Sequence, residues 1–397
     1  MQILITCDYY SPGWKAGGPI RSLNNLVECL GDKFDFKVVT RDRDYGDSRP
    51  YPGVKINKWQ KVEKAEVLYL SPFHQFLWDW FRLLKDTSHD ILYLNSFFSP
   101  NFTIKPLLLR KLDLSPKVPT LLATRGELSN AALSFKNYKK SPYMVLARAL
   151  RLYRQLYWQA SSEKELADIL AEIEHYFGIR VINPIIIPDL TIVKPRVEQN
   201  QREKAVGTLR VVFLSRICRM KNLDGALRIL KETHGRLEFD VFGPLEDEKY
   251  WQECQEIIKS IPNELTVTYR GALSPERVIP TLAGYDLFFL PTLGENYGHV
   301  ILEALLAGCP ILISDRTPWR GLEEKGVGWD IPLDQPRLYS QVIKECMDMD
   351  TETHRRWSLR AHEYGRYVQS EANKKSIEFH REMFETIASK YHELQEE

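Results

Sequence analysis
Apolar residues in this chain fall into short runs of four or five, separated by stretches in which they recur every third or fourth position. The runs at Ile3–Thr6, Phe36–Val39, Ile91–Leu94 and Thr120–Ala123 predict strands buried on both faces, as in a parallel sheet. Arg21–Leu30 alternates with them as a helix, and helical stretches are expected over Tyr143–Gln159 and Glu163–Tyr176. The character changes between Asn183 and Gly207, where Pro184, Pro188, Pro195 and a polar run from Glu198 to Lys204 predict a linker, 184–207. A second alternating series then runs through Arg210–Leu214, Asp224–Lys231, Glu238–Phe242, Leu265–Tyr269, Asp286–Leu290 and Pro310–Ser314. Two Rossmann-like halves follow, 1–183 and 208–370, with no shorter repeat. The last segment, 371–397, reads as a helix with Ile377, Met383, Phe384 and Ile387 on its apolar side.

The densest chemistry lies between Phe288 and Pro318. A strand, a loop from Pro291 to Asn296, a helix opened by Gly298 and closed at Gly308, and a further strand make a βαβ unit. Strand ends and a helix N-terminus together form a crevice suited to phosphate. Glu295 stands just before that helix and Glu303 inside it; a glutamate on an apolar face is costly unless a ligand or partner satisfies it. Upstream, Arg216 and Lys221 follow the strand Arg210–Leu214 and precede a helix capped by Asn222 or Asp224. Two cations at such a place would neutralise a departing diphosphate. Phe242-Gly243-Pro244 and Arg270-Gly271-Ala272-Leu273 end two more strands, where glycine lets a main chain approach a ligand. Taken singly, a capping glutamate, a pair of solvated basic residues and ordinary turn glycines explain each feature as well.

Together they resemble a known family. Glu295-x7-Glu303, with Asn296-Tyr297-Gly298 after the first glutamate, resembles the EX7E signature of family 4 glycosyltransferases. Arg216 to Asn222 is similar to their G-R-x-x-x-x-K-(G/N) motif, with Ser215 where glycine is common. The resemblance implies the GT-B fold: α/β, two Rossmann-like domains facing each other across a cleft, and a C-terminal helix crossing back to the first. It implies a retaining enzyme of bacterial polysaccharide-biosynthesis type. Such an enzyme moves a sugar from a UDP- or GDP-sugar to a glycan or lipid-linked acceptor in cell-surface polysaccharide biosynthesis. By the same resemblance Arg216 and Lys221 act on the diphosphate and Glu295 on the hydroxyls of the transferred sugar. Gly243 lies in the nucleotide cleft, Gly271 to Leu273 meet the base, and Glu303 meets the ribose. The amides of Asn296, Tyr297, Gly298, His299 and Val300 hold the diphosphate. In the first half, Gly17-Gly18 before Pro19 resembles the glycine-rich loop that meets sugar and phosphate.

On the acceptor side the chain departs from the pattern. The loop after Thr120–Ala123 carries Arg125-Gly126-Glu127 where many of these enzymes place a histidine, and Gln159 stands where a subgroup has another. Arg125 is a candidate phosphate partner and Glu127 a candidate for orienting an acceptor hydroxyl; an Arg–Glu pair bracing the loop explains both residues equally. From Leu128 to Ser162 there is no acidic residue, and Lys136, Lys139, Lys140, Arg148, Arg151 and Arg154 alternate with Tyr138, Tyr143, Tyr153, Tyr157 and Trp158. Residues 136–158 thus predict either an interfacial helix on an anionic membrane or a solvated basic face.

Composition narrows the classes further. With 54 Lys and Arg against 53 Asp and Glu the formal net charge is +1, which offers nucleic acid no global attraction. Six scattered cysteines without metal spacing suit a reducing compartment, and Met1 to Tyr10 reads as a first strand rather than a signal peptide. A cytoplasmic protein is expected, peripheral to the inner face of a membrane if the basic stretch binds lipid. No GxGxxG supports a nicotinamide cofactor, and Asp42-Arg43-Asp44 is a chance match to a metal-binding triplet of another fold; no metal or cofactor is expected. Two rival functions remain open at this point: a sugar-nucleotide enzyme without transfer, such as an epimerase, and a non-catalytic glycan- or nucleotide-sugar-binding protein.

Overall fold
A computed structural model describes every residue except 130–131, 134–136, 182–183, 192–202, 234, 263 and 397. The chain forms two compact units, Met1–Ile192 with Ala372–Glu397, and Val193–Glu371.

In the first unit, strands β1 (Gln2–Cys7), β2 (Asp35–Arg41), β3 (Trp59–Val62), β4 (Ala65–Leu70), β5 (Ile91–Asn95), β6 (Thr120–Ala123), β7 (Tyr157–Ala160) and β8 (Ile185–Ile186) form one sheet. Its order is β3-β4-β2-β1-β5-β6-β7-β8, parallel throughout except for the antiparallel β3–β4 pair. Helix α1 (Gly18–Leu30) joins β1 to β2 and buries Ile20, Leu23, Leu26, Val27 and Leu30, the three-four spacing of an amphipathic helix. Helices α2 (Leu77–Asp86), α3 (Lys105–Lys111), α4 (Asn137–Ala149) and α5 (Glu163–Leu170) follow in turn. The strand order reverses between β1 and β5, which opens a crevice at their carboxyl ends.

Two expectations are corrected here. The helix expected over Tyr143–Gln159 ends at Ala149, and Tyr157–Ala160 is a strand between β6 and β8. Aromatic, half-apolar Tyr-Trp-Gln-Ala suits a pleated, covered strand better than a helix continued through Arg151 and Gln155, both with positive φ. Residues 184–191, expected as linker, belong to the first unit: Ile187 and Leu190 are core residues and β8 pairs with β7.

The end of helix α11 (Thr351–Glu396) is also part of the first unit. Phe384 packs edge-on to Phe34, Phe36 and Tyr93, and Ile387 is fully buried. Polar groups fix its register: Asn373 accepts from the Thr191 amide at 2.8 Å, and Ser376 donates to the Pro188 carbonyl.

The second unit has the order β11-β10-β9-β12-β13-β14, all parallel. Its strands are β9 (Thr208–Leu214), β10 (Arg236–Phe242), β11 (Leu265–Gly271), β12 (Leu287–Leu290), β13 (Ile311–Ser314) and β14 (Gly328–Ile331). Helices α6 (Leu223–Lys231), α7 (Glu248–Lys259), α8 (Pro275–Leu282), α9 (His299–Leu306) and α10 (Pro336–Asp348) cover it. Lys204, the last residue of the expected linker's polar run, is buried and donates to the Thr208, Met347 and Met349 carbonyls. Here the order reverses between β9 and β12.

A buried chain of hydrogen bonds crosses the first unit and sets its acid sensitivity. Arg125 donates to the Tyr93 hydroxyl, Tyr93 to the Gln159 carbonyl oxygen, and the Gln159 amide nitrogen lies 3.3 Å from His380 Nε2. His380 Nδ1 is 2.8 Å from the Ser376 carbonyl, so the neutral ring donates at Nδ1 and accepts at Nε2. Protonation would set a second N–H against the Gln159 amide, and burial already pushes the His380 pKa down to about 4. The unfolded chain takes up this proton below about pH 6.5 while the folded one does not. Stability is therefore present above pH 6.5 and is lost as pH falls toward 4, by about 2 kcal/mol at pH 5 for this group alone. Denaturant titrations at pH 7 and pH 5 should show a smaller pH dependence in His380→Gln than in the wild type; equal dependence would remove His380 as the cause.

Candidate functional site
The residues singled out in the second unit converge where its strand order reverses. β9 ends at Leu214, and Ser215 to Lys221 cross the carboxyl edge of the sheet as a loop and a short turn of helix. Asn222 caps α6 from the left-handed region, φ 56°, and its side chain donates to the Pro291 carbonyl at 2.8 Å. The Leu293 amide and the Thr292 hydroxyl both donate to the Met220 carbonyl. The loops after β9 and β12 are thus stitched together by backbone groups.

That stitching brings Lys221 against Glu295. The two form a short ion pair, their side chains only 10% and 13% exposed. Glu295 is held from behind, its amide donating to the Arg316 carbonyl at 3.1 Å. A charged pair this dry is stable only while both members are present, because either one alone is an uncompensated buried charge.

Past Glu295 the chain enters α9 through Gly298, at φ 76°; a Cβ there would also lie 2.8 Å from the Ile301 side chain, so glycine is required. Gly298 carries no side-chain cap, and Asn296, Tyr297, His299 and Val300 are half-exposed around the helix start. The Tyr297 carbonyl accepts from the Trp319 indole at 2.6 Å. One turn on, Glu303 is buried among Ile301, Leu302, Ala304 and Leu305. Lys221, Glu295, the α9 entry and Glu303 therefore occupy one edge of one unit.

Arg216 lies in the same post-β9 loop and donates to Glu246 at 2.6 Å. Glu246 follows β10, the strand beside β9, and was not singled out from the sequence. The signal was present, a carboxylate three residues after Gly243, but it acquires meaning only once β9 and β10 are known to be neighbours. Both cations of the motif are thus neutralised by carboxylates.

Close packing requires Gly243 to be glycine. A Cβ there would sit 1.7 Å from the Ser215 carbonyl oxygen, so the loops after β9 and β10 touch through their backbones. Gly271, φ 79°, has open space around it at the end of β11, and Leu273 packs partly buried on the core.

In the first unit Gly17, φ 78°, caps α1 with nothing within 4 Å of a Cβ, and Gly18 begins the helix. The loop before it is held by Asp44, whose carboxylate accepts from the Trp14 and Lys15 amides, while Asp42 pairs with Arg43. Asp42 and Asp44 are thus occupied by the fold. Among the described residues no group of three or more His, Cys, Asp or Glu is placed to hold a metal.

Arg125 and Glu127 do not brace each other, nor do they stand free for a ligand. Arg125 is engaged by Asp189 at 2.8 Å, by Asn95 and by Tyr93. Glu127 accepts from the Ser96 hydroxyl and from the Phe97 and Phe98 amides; burial pushes its carboxyl up and these donors offset part of the shift. The aromatic residues expected at a membrane are also core: Tyr153 and Trp158 are buried, and Tyr143 is hydrogen-bonded to Tyr153. Trp158 is buried in β7, and Tyr153 in the turn before it. Lys136 lies outside the described residues, as do the side chains of Tyr138, Lys139 and Lys140.

Residues 196–364 match the family model described as glycosyl transferases group 1. No curated protein matches the chain in sequence. Among solved structures, HepE from Anabaena, bound to UDP and glucose, is 16% identical with a TM-score of 0.63 over 98% of this chain and 100% of that one. Sucrose-phosphate synthase from Thermosynechococcus elongatus is 13% identical, TM-score 0.68, over 97% and 99%. WaaG, a glycosyltransferase involved in lipopolysaccharide biosynthesis, is 15% identical, TM-score 0.64, over 94% and 98%. These likenesses show the fold, which is GT-B. With the matched domain, the chain is a glycosyltransferase.

If Arg216 takes a diphosphate, as expected from the sequence, Glu246 competes with that ligand for it. Glu246→Gln should therefore bind a nucleoside diphosphate about 1.5- to 5-fold more tightly, the range expected of a partly exposed ion pair. Calorimetry checks this; weaker binding would mean that Glu246 touches the ligand itself.

Proposed function
We propose that the protein is a retaining glycosyltransferase that moves a sugar from a UDP- or GDP-sugar to a glycan or lipid-linked acceptor in cell-surface polysaccharide biosynthesis. The observation that carries this is the buried Lys221–Glu295 pair at the β9/β12 reversal, beside the uncapped start of α9. A ligand with two phosphates and a sugar finds there a cation for the phosphate, amides for its oxygens, and a carboxylate for sugar hydroxyls. The UDP and UDP-glucose held by HepE favour a uridine donor.

The chemistry asks for charge stabilisation more than for a nucleophile. As the bond between the sugar and the phosphate oxygen lengthens, negative charge collects on the diphosphate; Arg216 and Lys221 receive it without moving far. The carboxylates that neutralise them before binding, Glu246 and Glu295, are released as the phosphates arrive, and Glu295 is then free to accept from the sugar. The departing phosphate oxygen takes the acceptor proton on the face it leaves, which gives retention. Protein cations would do the work of a divalent metal, so none is required.

The test is a panel of nucleotide sugars incubated with the protein in excess EDTA, with the anomer of the released or transferred sugar recorded. The expected result is turnover of one donor with its configuration kept. Inversion, or activity restored only by manganese, would overturn the reading; epimerised donor without transfer would select the rival enzyme. Arg216→Ala and Lys221→Ala should each cost roughly 2–4 kcal/mol in the transition state, about 30- to 1000-fold in turnover.

The two glutamates should separate. Glu303→Ala should weaken nucleoside diphosphate binding, since a ribose contact is made in ground and transition states alike. Glu295→Gln should bind the same ligand no more weakly than the wild type, yet lose turnover. The opposite pattern in calorimetry and rate assays would exchange their roles.

A further inference from the structure
The loop from Thr292 to Tyr297, which leads through Glu295 into α9, is held along its length by the segment after β13. The Ser314 hydroxyl donates to the Thr292 carbonyl at 2.5 Å, and the Glu295 amide to the Arg316 carbonyl at 3.1 Å. The Trp319 indole completes the row, donating to the Tyr297 carbonyl at 2.6 Å. The first two contacts hold the backbone around Glu295. The third comes from a side chain reaching back past Thr317 and Pro318, and it engages the peptide on which α9 opens. Trp319 is itself firmly set: it is 6% exposed, and its amide donates to the Thr317 hydroxyl at 3.2 Å. Its ring meets Tyr297 edge-on with centroids 6.0 Å apart, and its Nε1 would lie 3.6 Å from a Cβ on Gly298.

What this contact controls follows from the glycine. The peptide joining Tyr297 to Gly298 is planar and trans, so its carbonyl and the Gly298 N–H point in opposite directions. With the carbonyl turned to Trp319, the N–H is turned away from it. Among the described residues that N–H has no acceptor, and Gly298 is buried, where an unmet donor is costly unless something outside the chain satisfies it. Turning the peptide over would reverse both groups and carry Gly298 from φ 76° to negative φ, which glycine adopts about as readily. A residue with a Cβ would settle the matter through its own backbone. At Gly298 both senses are open, and a neighbouring side chain has to choose between them.

We infer that Trp319 is a positioning residue for the diphosphate: its indole holds the Tyr297–Gly298 peptide in the sense that offers the Gly298 N–H, with the first amides of α9, to a phosphate oxygen. This role rests on the donor reading proposed above, in which the entry to α9 receives the phosphates. In the reversed sense the Tyr297 carbonyl would face the phosphates, oxygen against oxygen, and repel them. Trp319 thus acts on affinity for the phosphates and leaves the nucleoside contacts of Glu303 alone.

Calorimetry of the wild type with UDP and with GDP, and ligand-observed NMR with the matching nucleoside, set the reference. Trp319→Phe keeps an aromatic ring but loses the N–H. It should bind the diphosphate about 5- to 150-fold more weakly, because the carbonyl left without its donor biases the peptide against the binding-competent sense by one hydrogen bond. Affinity for the nucleoside, which carries no phosphate, should be unchanged. Trp319→His is the rescue: its Nε2 takes the place of the indole Nε1 on the five-membered ring, while the benzo ring is lost. It should recover most of the diphosphate affinity despite poorer packing. Equal diphosphate affinity in Trp319→Phe and the wild type overturns the role and leaves the donor reading standing. So does a loss shared by diphosphate and nucleoside, or a Trp319→His that binds the diphosphate as weakly as Trp319→Phe; either makes Trp319 a packing residue only. A wild type that binds neither UDP nor GDP overturns the donor reading and this role with it. Should Trp319→Phe not fold, Trp319→His decides, and loss of the diphosphate with the nucleoside retained is then the overturning result.

Discussion
A lysine and a glutamate held side by side, almost out of water, organise the second unit. Neither Lys221 nor Glu295 could be kept there alone; Lys221 ends a single helical turn and Glu295 lies in a loop. Their positions come from the loops, which are bound to each other through Asn222, Thr292, Leu293 and the Met220 and Pro291 carbonyls. Those loops in turn meet only because β9 and β12 are neighbours at the reversal of strand order. The pair is a consequence of topology.

The same principle is used differently in the first unit. Arg125 is as buried as Lys221, but its partners, Asp189, Asn95 and Tyr93, hold it from three directions. Asp189 also accepts from Ser22 on α1, and the chain runs on through Gln159 to His380 of the terminal helix. Four of the five N–H donors of Arg125 are spent on the fold. It locks the β6 loop, the segment after β8 and the last helix into one register. What distinguishes a binding cation from a structural one is therefore the replaceability of its partners. One carboxylate on a loop can be displaced; a cage of several partners cannot.

That distinction marks where reading the sequence succeeded and where it failed. Strands such as Thr120–Ala123 were legible because burial on both faces leaves an unbroken apolar run. Glu295, Gly298 and Glu303 were legible because one βαβ unit carries all three at fixed spacing. Tyr157–Ala160 was not, since a four-residue strand after a basic helix has too short a period to separate from it. The partners of Arg125 and Glu127 were not legible for another reason: they lie about 30 and 60 residues away in sequence, and only the fold brings them close. Glu246 went unnoticed on the same ground.

Burial also reverses the meaning of the aromatic residues. Tyr153 and Trp158, interleaved with arginines in the sequence, fill the core, while Phe73, Phe76 and Trp78, in a segment of ordinary charge, stand in water. Composition cannot separate these cases, because a ring flanked by polar residues is equally at home beneath a sheet or above a loop. The deciding quantity is what the neighbouring backbone needs. Around Trp158 the strand needs a covering side chain on each face. Around Phe76 the loop's polar demands are met from below by Gln75, Asn101 and Lys105, so the rings are left with no inward place to go. Apolar exposure is here the by-product of polar groups satisfied beneath it.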